Sequence, residues 1–320
     1  MTDATVLVGL DALATVGASA VTIGTFDGVH VGHRALIGRA VEHAGRLGVA
    51  AVALTWDRHP NQTLRPERVP PLLTAPERKI ELLRSSGVAV VAVLPFDEEL
   101  SHWPPERFVE DVLVARLHAR AVVVGLGWRF GHKAAGDVAL LSRLGGEHGF
   151  EVEELPLIEV QEGHVSSSRA RAAVASGDVA LARVLLGRPF EYEGIVVRGD
   201  DRGAALGFPT ANVAVDALLA HPPRGVYACT ATVDDVLYTA AVNVGVNPTF
   251  GGVEGTTPLR VEAYLLDFDG DLYGRKLRIA FLERLRDEER FAGPDELVAQ
   301  ITQDVEATRK LVEGGDRGSA

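Results

Sequence analysis

Along the first 190 residues, short apolar runs alternate with stretches of helical spacing. The rest of the chain alternates apolar and polar positions with no helical interval until its end. In the first part, runs at 21–24, 49–55, 88–94, 121–125 and 151–155 have the length and β-branched content of strands. Helical patterns at 34–47, 76–85, 105–117 and 137–147 fill the intervals. Such alternation predicts a parallel sheet wrapped by helices. An unbroken apolar run such as 88–94 suits a strand buried on both faces. The half is expected to be a doubly wound, Rossmann-like nucleotide-binding domain, with its ligand in the loops after Gly24, Thr55 and Gly125, beyond the carboxyl ends of the strands.

Two shorter helical pieces, about 168–175 and 178–186, lead to Gly187-Arg188-Pro189, where the texture changes. Runs at 192–197, 226–233, 237–244, 261–266 and 277–282 are rich in Val, Tyr and Phe, and several are separated by Gly, Pro or Asp pairs. They predict an antiparallel barrel or sandwich. A last amphipathic helix opens at Pro294, carries Asp295 and Glu296 in its first turn and runs to about Val312. The tail 314–320 is expected to fray.

At about 150 residues per domain, 320 residues make two domains. No apolar run approaches the ~18 to 20 residues that cross a bilayer. Asp3 stands where a secretory signal carries Lys or Arg, so no export segment and a cytoplasmic setting are expected. Cys229, the only cysteine, excludes an intramolecular disulfide and thiolate zinc clusters; it reads as a buried strand residue. The net charge of −12 divides into −3 over residues 1–190 (19 basic, 22 acidic) and −9 over 191–320 (13 basic, 22 acidic). Neither half suits a polyanion, so no nucleic-acid partner is expected. With only four lysines (Lys79, Lys133, Lys276 and Lys310) and no G-x-x-x-x-G-K-[ST] loop, phosphate contacts must come from arginine, histidine or backbone amides.

Candidate chemistry follows directly after the first strand, in Gly24-Thr25-Phe26-Asp27-Gly28-Val29-His30-Val31-Gly32-His33. A glycine-rich loop entering a helix offers free N–H groups and the positive end of the helix dipole to an anion. His30 and His33, three residues apart, share a helix face and can both donate to one phosphate, with Gly32 leaving room between them. The bland alternative is a helix start with two surface histidines.

These ten residues resemble the G-x-F-D-G-x-H-x-G-H pattern of the nucleotidyltransferase module of prokaryotic FAD synthetases, within the H-x-G-H superfamily. Leu54-Thr55-Trp56-Asp57-Arg58-His59-Pro60 resembles that family's T-F-D-P-H-P segment, with Trp56 for Phe and Arg58 for Pro. Val165-Ser166-Ser167-Ser168-Arg169-Ala170-Arg171 resembles its S-S-T-x-x-R motif. The resemblance implies an ATP site of Gly24, Phe26, Asp27, Gly28, His30, His33, Ser167, Ser168 and Arg171. His30 and His33 would stabilise charge at the α-phosphorus, and the serines and Arg171 would hold the leaving phosphates. One departure stands out: Val124-Gly125-Leu126-Gly127-Trp128-Arg129-Phe130-Gly131 carries Gly127 where the family has Asn or Asp. Either adenylylation is weakened or the pocket is reshaped.

In the β-rich half, Leu206-Gly207-Phe208-Pro209-Thr210-Ala211-Asn212 follows Gly199 through Gly203. Thr210 and Asn212 are two apart, so in an extended segment their oxygens share a side and suit a hard cation. The stretch resembles the G-F-P-T-A-N hallmark of riboflavin kinases. The likeness continues through Gly225-Val226-Tyr227, Asn243 to Phe250, Val261-Glu262-Ala263-Tyr264-Leu265 and Leu285 to Phe291. It implies Glu262 as general base, and Gly199, Gly207, Thr210 and Asn212 as the site for ATP and Mg²⁺, with Thr210 and Asn212 as metal ligands. Arg286 and Phe291 would lie against the flavin. The Asp267, Asp269 and Asp271 series lacks EF-hand spacing and reads as a turn.

The whole pattern implies a bifunctional flavin-cofactor enzyme acting on riboflavin, FMN and ATP, with residues 1–186 as FMN adenylyltransferase and 187–320 as riboflavin kinase. Such an enzyme would be a monomer or weak homo-oligomer. Two alternatives stay open: a kinase whose adenylyltransferase half is impaired or altered in nucleotide choice, motivated by Gly127, Trp56 and Arg58, and a non-catalytic flavin- or nucleotide-binding regulator. The regulator is the weaker alternative, because a binder needs no general base at Glu262.

Overall fold

The structure, a computed structural model, describes residues 4–199, 203, 206–246 and 259–315. The chain forms two compact units, Met1–Pro70 with Thr74–Ser167 and Pro71–Leu73 with Ser168–Ala320.

The first unit is built on a six-stranded parallel sheet of β1 (Thr5–Val8), β2 (Ser19–Ile23), β3 (Ala50–Trp56), β4 (Val90–Leu94), β5 (Ala119–Gly125) and β6 (Glu151–Leu155). The strand order is β1-β4-β3-β2-β5-β6. Strand alternation divides the core between the two sheet faces. Val21, Ile23, Val52 and Leu54 join one apolar cluster, whereas their neighbours Ala20, Ala51 and Ala53 join the other. Small residues on the second face let α1 (Val31–Leu47) lie close, with Ile37, Ala40 and Ala44 buried. Gly48, left-handed at φ 67°, ends that helix. The chain passes from β2 through β3 and β4 on one side of the sheet, then returns to β5 on the other side of β2. Loops leaving β2 therefore open at a topological switch point.

Two features of this unit depart from the sequence pattern. β1 has only four residues and is held by register with β4, Thr5 opposite Val90 through Val8 opposite Val93, a partner more than 80 positions away. The helix expected over 105–117 is a single α turn, Pro105–Phe108, followed by a π-helix, Val109–Val114. Val109, Val112 and Leu113 of this segment are all buried in the core. Helices α2 (Pro76–Arg84) and α3 (Val138–His148) lie where the pattern put them.

In the second unit, α4 (Ser167–Ser176, from Ser168 onward) and α5 (Val179–Leu186) precede a closed barrel, and α6 (Pro294–Gly315) follows it. The barrel strands are β7 (Phe190–Val197), β8 (Ala211–Ala214), β9 (Gly225–Val233), β10 (Val236–Val246), β11 (Leu259–Leu265) and β12 (Lys276–Arg286). They close in the order β10-β11-β8-β7-β12-β9, with every pair antiparallel. The fold is therefore a barrel and not a sandwich. The four-residue β8, absent from the predicted strands, decides this by pairing with β7 on one side and β11 on the other. Asp234 and Asp235, both at positive φ, make the tight turn between β9 and β10. Phe190, Tyr192, Tyr227 and Phe281 fill the barrel edge to face, all fully buried.

Candidate active sites

In the first unit, the loop after β2 is folded against its own preferences. Phe26 and Val29 have positive φ (50° and 39°), as does Gly28 (84°). For a β-branched residue such as Val29 that conformation is costly. Burial and hydrogen bonds hold it: Phe26 and Val29 are fully buried, and a Cβ on Gly24 would meet the Phe26 ring at 2.9 Å. Asp27, 4% exposed, accepts from the Thr74 amide (3.2 Å), while the Thr74 hydroxyl oxygen accepts from the Gly28 amide (3.2 Å). Ser167 Oγ donates to the Asp27 carbonyl at 2.9 Å.

His30 is the N-cap of α1, and its Nδ1 accepts the His33 amide at 3.2 Å. That bond puts the proton of the neutral His30 ring on Nε2. The two imidazoles stack, centroids 3.5 Å apart and planes 14° from parallel, and the Phe26 ring meets His33 edge-on at 5.2 Å. The pairing of the histidines is thus realised. The room over Gly32, however, is taken by His30, whose ring atoms would lie 3.2 Å from a Cβ there. Ser168 and Arg171 fall in the second unit, where Arg171 Nε donates to the Pro71 carbonyl at 2.8 Å.

Two elements of this site have no signal in the hydropathy pattern. Lys79 on α2 is only 7% exposed, and its Nζ donates to the carbonyls of Trp56 (2.7 Å) and Thr25 (3.4 Å). Burial pushes its ammonium down to about 8, against the pull of Asp27 and Asp57. Burial alone would raise the Asp57 carboxyl, but hydrogen bonds from Arg58 and the Phe96 amide outweigh it and hold the group below the usual carboxylate range. Arg58 thus has a partner of its own in the loop after β3.

In the second unit the chemistry stands on regular strands. Asn212, Glu262, Asn243, Val226 and Arg286 are successive register partners across β8, β11, β10, β9 and β12. Neighbours of the polar members, such as Ala211, Val213, Val261, Ala263, Val242 and Val244, are buried in the barrel. Strand alternation therefore turns the polar row outward. Register shifts in β12 after Phe281 and after Arg284 bring Arg286 into that row. A cavity of about 650 Å³ opens over it, lined among others by Thr210, Glu262, Asn243, Arg286 and Phe291. Phe208 and Tyr264 pack edge to face at 5.4 Å as part of its apolar wall.

Individual groups of this cavity and of the strands and turns beside it are fixed from several directions. Arg260 Nη2 donates to Glu262 Oε1 at 2.6 Å. Arg286 grips Asp304 of α6 with Nε (3.0 Å) and Nη2 (2.7 Å), and its guanidinium carbon lies 5.7 Å from the Phe291 ring centroid. Asp304 is 6% exposed and accepts also from Gln300. Asn212 rests on Gly199, where a Cβ would come within 2.0 Å of its amide nitrogen. Gly207 takes a left-handed φ of 86° in the turn before Thr210. Residues 200–202 and the Asn247-Pro248-Thr249-Phe250 stretch lie outside the described residues.

The sequence matches the FAD synthetase family model over residues 14–169 and the riboflavin kinase family model over 186–312. It is 38% identical over 290 residues to the bifunctional riboflavin kinase/FMN adenylyltransferase of Pseudomonas fluorescens, covering 91% of this chain and 92% of that one. It is 35% identical to the proteins of the same name from Bacillus subtilis (89% and 90% covered) and Escherichia coli K12 (91% of each). The chain belongs to the bifunctional riboflavin kinase/FMN adenylyltransferase family. A solved Streptococcus pneumoniae protein described as a macrolide-efflux protein shares this fold at a TM-score of 0.84 and 29% identity, over 95% of this chain and 98% of that one. Among the described residues, no helix is long and apolar enough to cross a membrane. Arg260, Asp304 and Lys79 are polar residues of these sites that motif reading passed over. Each reveals itself only through a partner brought close by folding.

Proposed function

We propose that the barrel unit phosphorylates riboflavin with ATP to give FMN and ADP, and that the sheet unit joins FMN to ATP to give FAD and pyrophosphate. The observation that carries the reading is the cross-strand row in which Glu262, lining the cavity with Thr210 and Asn243, is the register partner of both Asn212 and Asn243. Glu262 accepts the proton of the riboflavin 5′-hydroxyl as that oxygen attacks the γ-phosphorus of ATP, and ADP leaves. Arg260 orients the carboxylate. Arg286, held by Asp304, and Phe291 form the flavin-side wall.

Thr210 and Asn212 offer hard oxygen donors, and the bare backbone of Gly199 makes the cradle in which the Asn212 side chain sits, so the pair fits Mg²⁺. When bound there, the cation neutralises phosphate charge. Positioning by Thr210, Asn212 and nearby backbone amides does the rest.

In the sheet unit, the loop Gly24 through Gly28, with Phe26 packed beneath His33, leads into the N-terminal end of α1, whose dipole favours the phosphates of ATP. An oxygen of the FMN phosphate attacks the α-phosphorus, pyrophosphate departs, and the stacked His30 and His33 donate to the charge that develops. No protein nucleophile takes part. The substrates are small molecules, and the setting we propose is cytoplasmic.

Gly127 favours a second reading, a kinase with a retuned adenylyltransferase. Its φ of 73° is left-handed, no atom lies within 4 Å of where a Cβ would stand, and its amide donates to Glu154 Oε1 at 2.8 Å. Purified protein incubated with riboflavin, ATP and Mg²⁺, with products separated by chromatography, decides between them. Formation of FAD supports the first reading, and accumulation that stops at FMN supports the second. Unchanged riboflavin overturns both.

A further inference from the structure

Of the four lysines, Lys79 is buried, although an ammonium costs several kcal/mol to remove from water unless it is well partnered. Its hydrogen-bond partners are not in its own helix. They are the carbonyl of Trp56, at the end of β3, and that of Thr25, in the loop leaving β2. The Thr25 carbonyl also accepts from Thr55 Oγ1 at 3.2 Å, so three elements converge on one oxygen. Immediately beyond Thr25 the backbone enters the positive-φ conformations of Phe26, Gly28 and Val29, and immediately beyond Trp56 come Asp57 and Arg58. The charged groups acting on the ammonium are Asp27 from the first loop and Asp57 from the second, and Arg58 is paired with Asp57 at 2.8 Å.

We propose that Lys79 is a positioning residue for adenylyl transfer, a buried clasp that ties the loop after β2 to the loop after β3 and keeps both in the geometry that receives ATP. This rests on the adenylyltransferase reading of the first unit. An apolar side chain would fill the same space without joining the loops, and arginine would keep the charge.

The clasp is strong only while the amine is protonated, because a charged donor makes the stronger hydrogen bonds, and burial brings the ammonium down to about 8. Its loss therefore falls within an accessible pH range. The sign separates this from unfolding. The folded amine titrates below its ordinary 10.5, so between about 8 and 10.5 the unfolded chain holds more protons, and this group makes folding more favourable as pH rises. Activity falls over the same interval.

The test follows FMN and ATP to FAD from about pH 6.5 to 9.5 in the full chain, in Lys79→Met and in Lys79→Arg. Riboflavin phosphorylation and the thermal midpoint are measured on the same samples. In the parent, kcat for FAD should drop by about tenfold per pH unit once above about 8, with kinase turnover and melting showing no matching loss. Lys79→Met should lose at least about tenfold in kcat at neutral pH and show no further alkaline limb. Lys79→Arg should retain most of the neutral rate and hold it to higher pH. An alkaline limb absent from the parent, a Met variant within about twofold of the parent, or an Arg variant with the parent's limb overturns the proposal. Should Lys79→Met lose both activities through misfolding, the parent and Arg profiles decide. A parent that makes no FAD at any pH overturns the adenylyltransferase reading itself, whereas variants that match an active parent overturn only the role of Lys79.

Discussion

On the reading proposed above, the loop leaving β2 and the outer wall of the barrel meet the same demand, the handling of phosphate charge, by contrasting means. In the loop, His30 at the N-cap of α1 stacks on His33 in its first turn, and three positive φ values are held in place by buried Phe26, Asp27 and Val29. On the barrel, ordinary strand geometry does the positioning: Asn212, Glu262 and Asn243 line up because register and alternation put them there. A site of the first kind depends on its supports, such as Thr74, Ser167 and Lys79. A site of the second kind depends on a few side chains set by strand register. Strain is tolerated where the surrounding structure over-determines it, and regular strands need no such help.

Five substitutions bear on this contrast, the most damaging first. His30→Ala should lower FAD formation from supplied FMN by two to four orders of magnitude, roughly the range for loss of a donor to developing charge, and spare FMN formation. Glu262→Ala should do the converse, and product chromatography reads both. If either substitution removes both activities from a folded chain, the two-site division fails. Asp304→Ala strips the buried partner from Arg286, so the barrel should lose about 3 kcal/mol in denaturant unfolding, and the KM for riboflavin should rise. Gly28→Ala places a Cβ at φ 84° and disturbs the amide that Thr74 accepts. A loss of roughly 1 to 2 kcal/mol and a fall in FAD formation with unchanged kinase activity are expected. At the small end, Gly127→Asn should shift stability by under about 0.5 kcal/mol, since asparagine tolerates left-handed φ and the site is open. The rate of FAD formation in that variant shows whether the glycine is a loss or an adaptation.

The same contrast governs what was legible in the amino-acid sequence. The apolar runs of the parallel sheet and the long barrel strands were readable because their signal is local and repeated. The four-residue strands β1 and β8 were not, because Thr5–Val8 and Ala211–Ala214 become strands only through partners distant in the chain. The π-helix at Val109–Val114 carries the same i, i+3, i+4 apolar spacing as an α-helix, so its wider winding leaves no mark in the pattern. Motif resemblance brought Thr210, Asn212, Glu262 and the paired histidines into view. It passed over Lys79, which lies on a short polar-looking helix and is defined by carbonyls 54 and 23 residues away, and Asp304, which meets Arg286 across 18 residues.

Cys229 gives the closed barrel a further use. It is the only thiol in the chain, it is fully buried on β9, and burial pushes its ionisation far above the ordinary range. A thiol so enclosed reacts with an alkylating reagent only when β9 parts from its neighbours. The molecule thus carries its own clock for barrel breathing. The rate at which that single sulfur is labelled, with riboflavin or ATP present or absent, reports how tightly each substrate seals the strands, without a mutation or an attached probe.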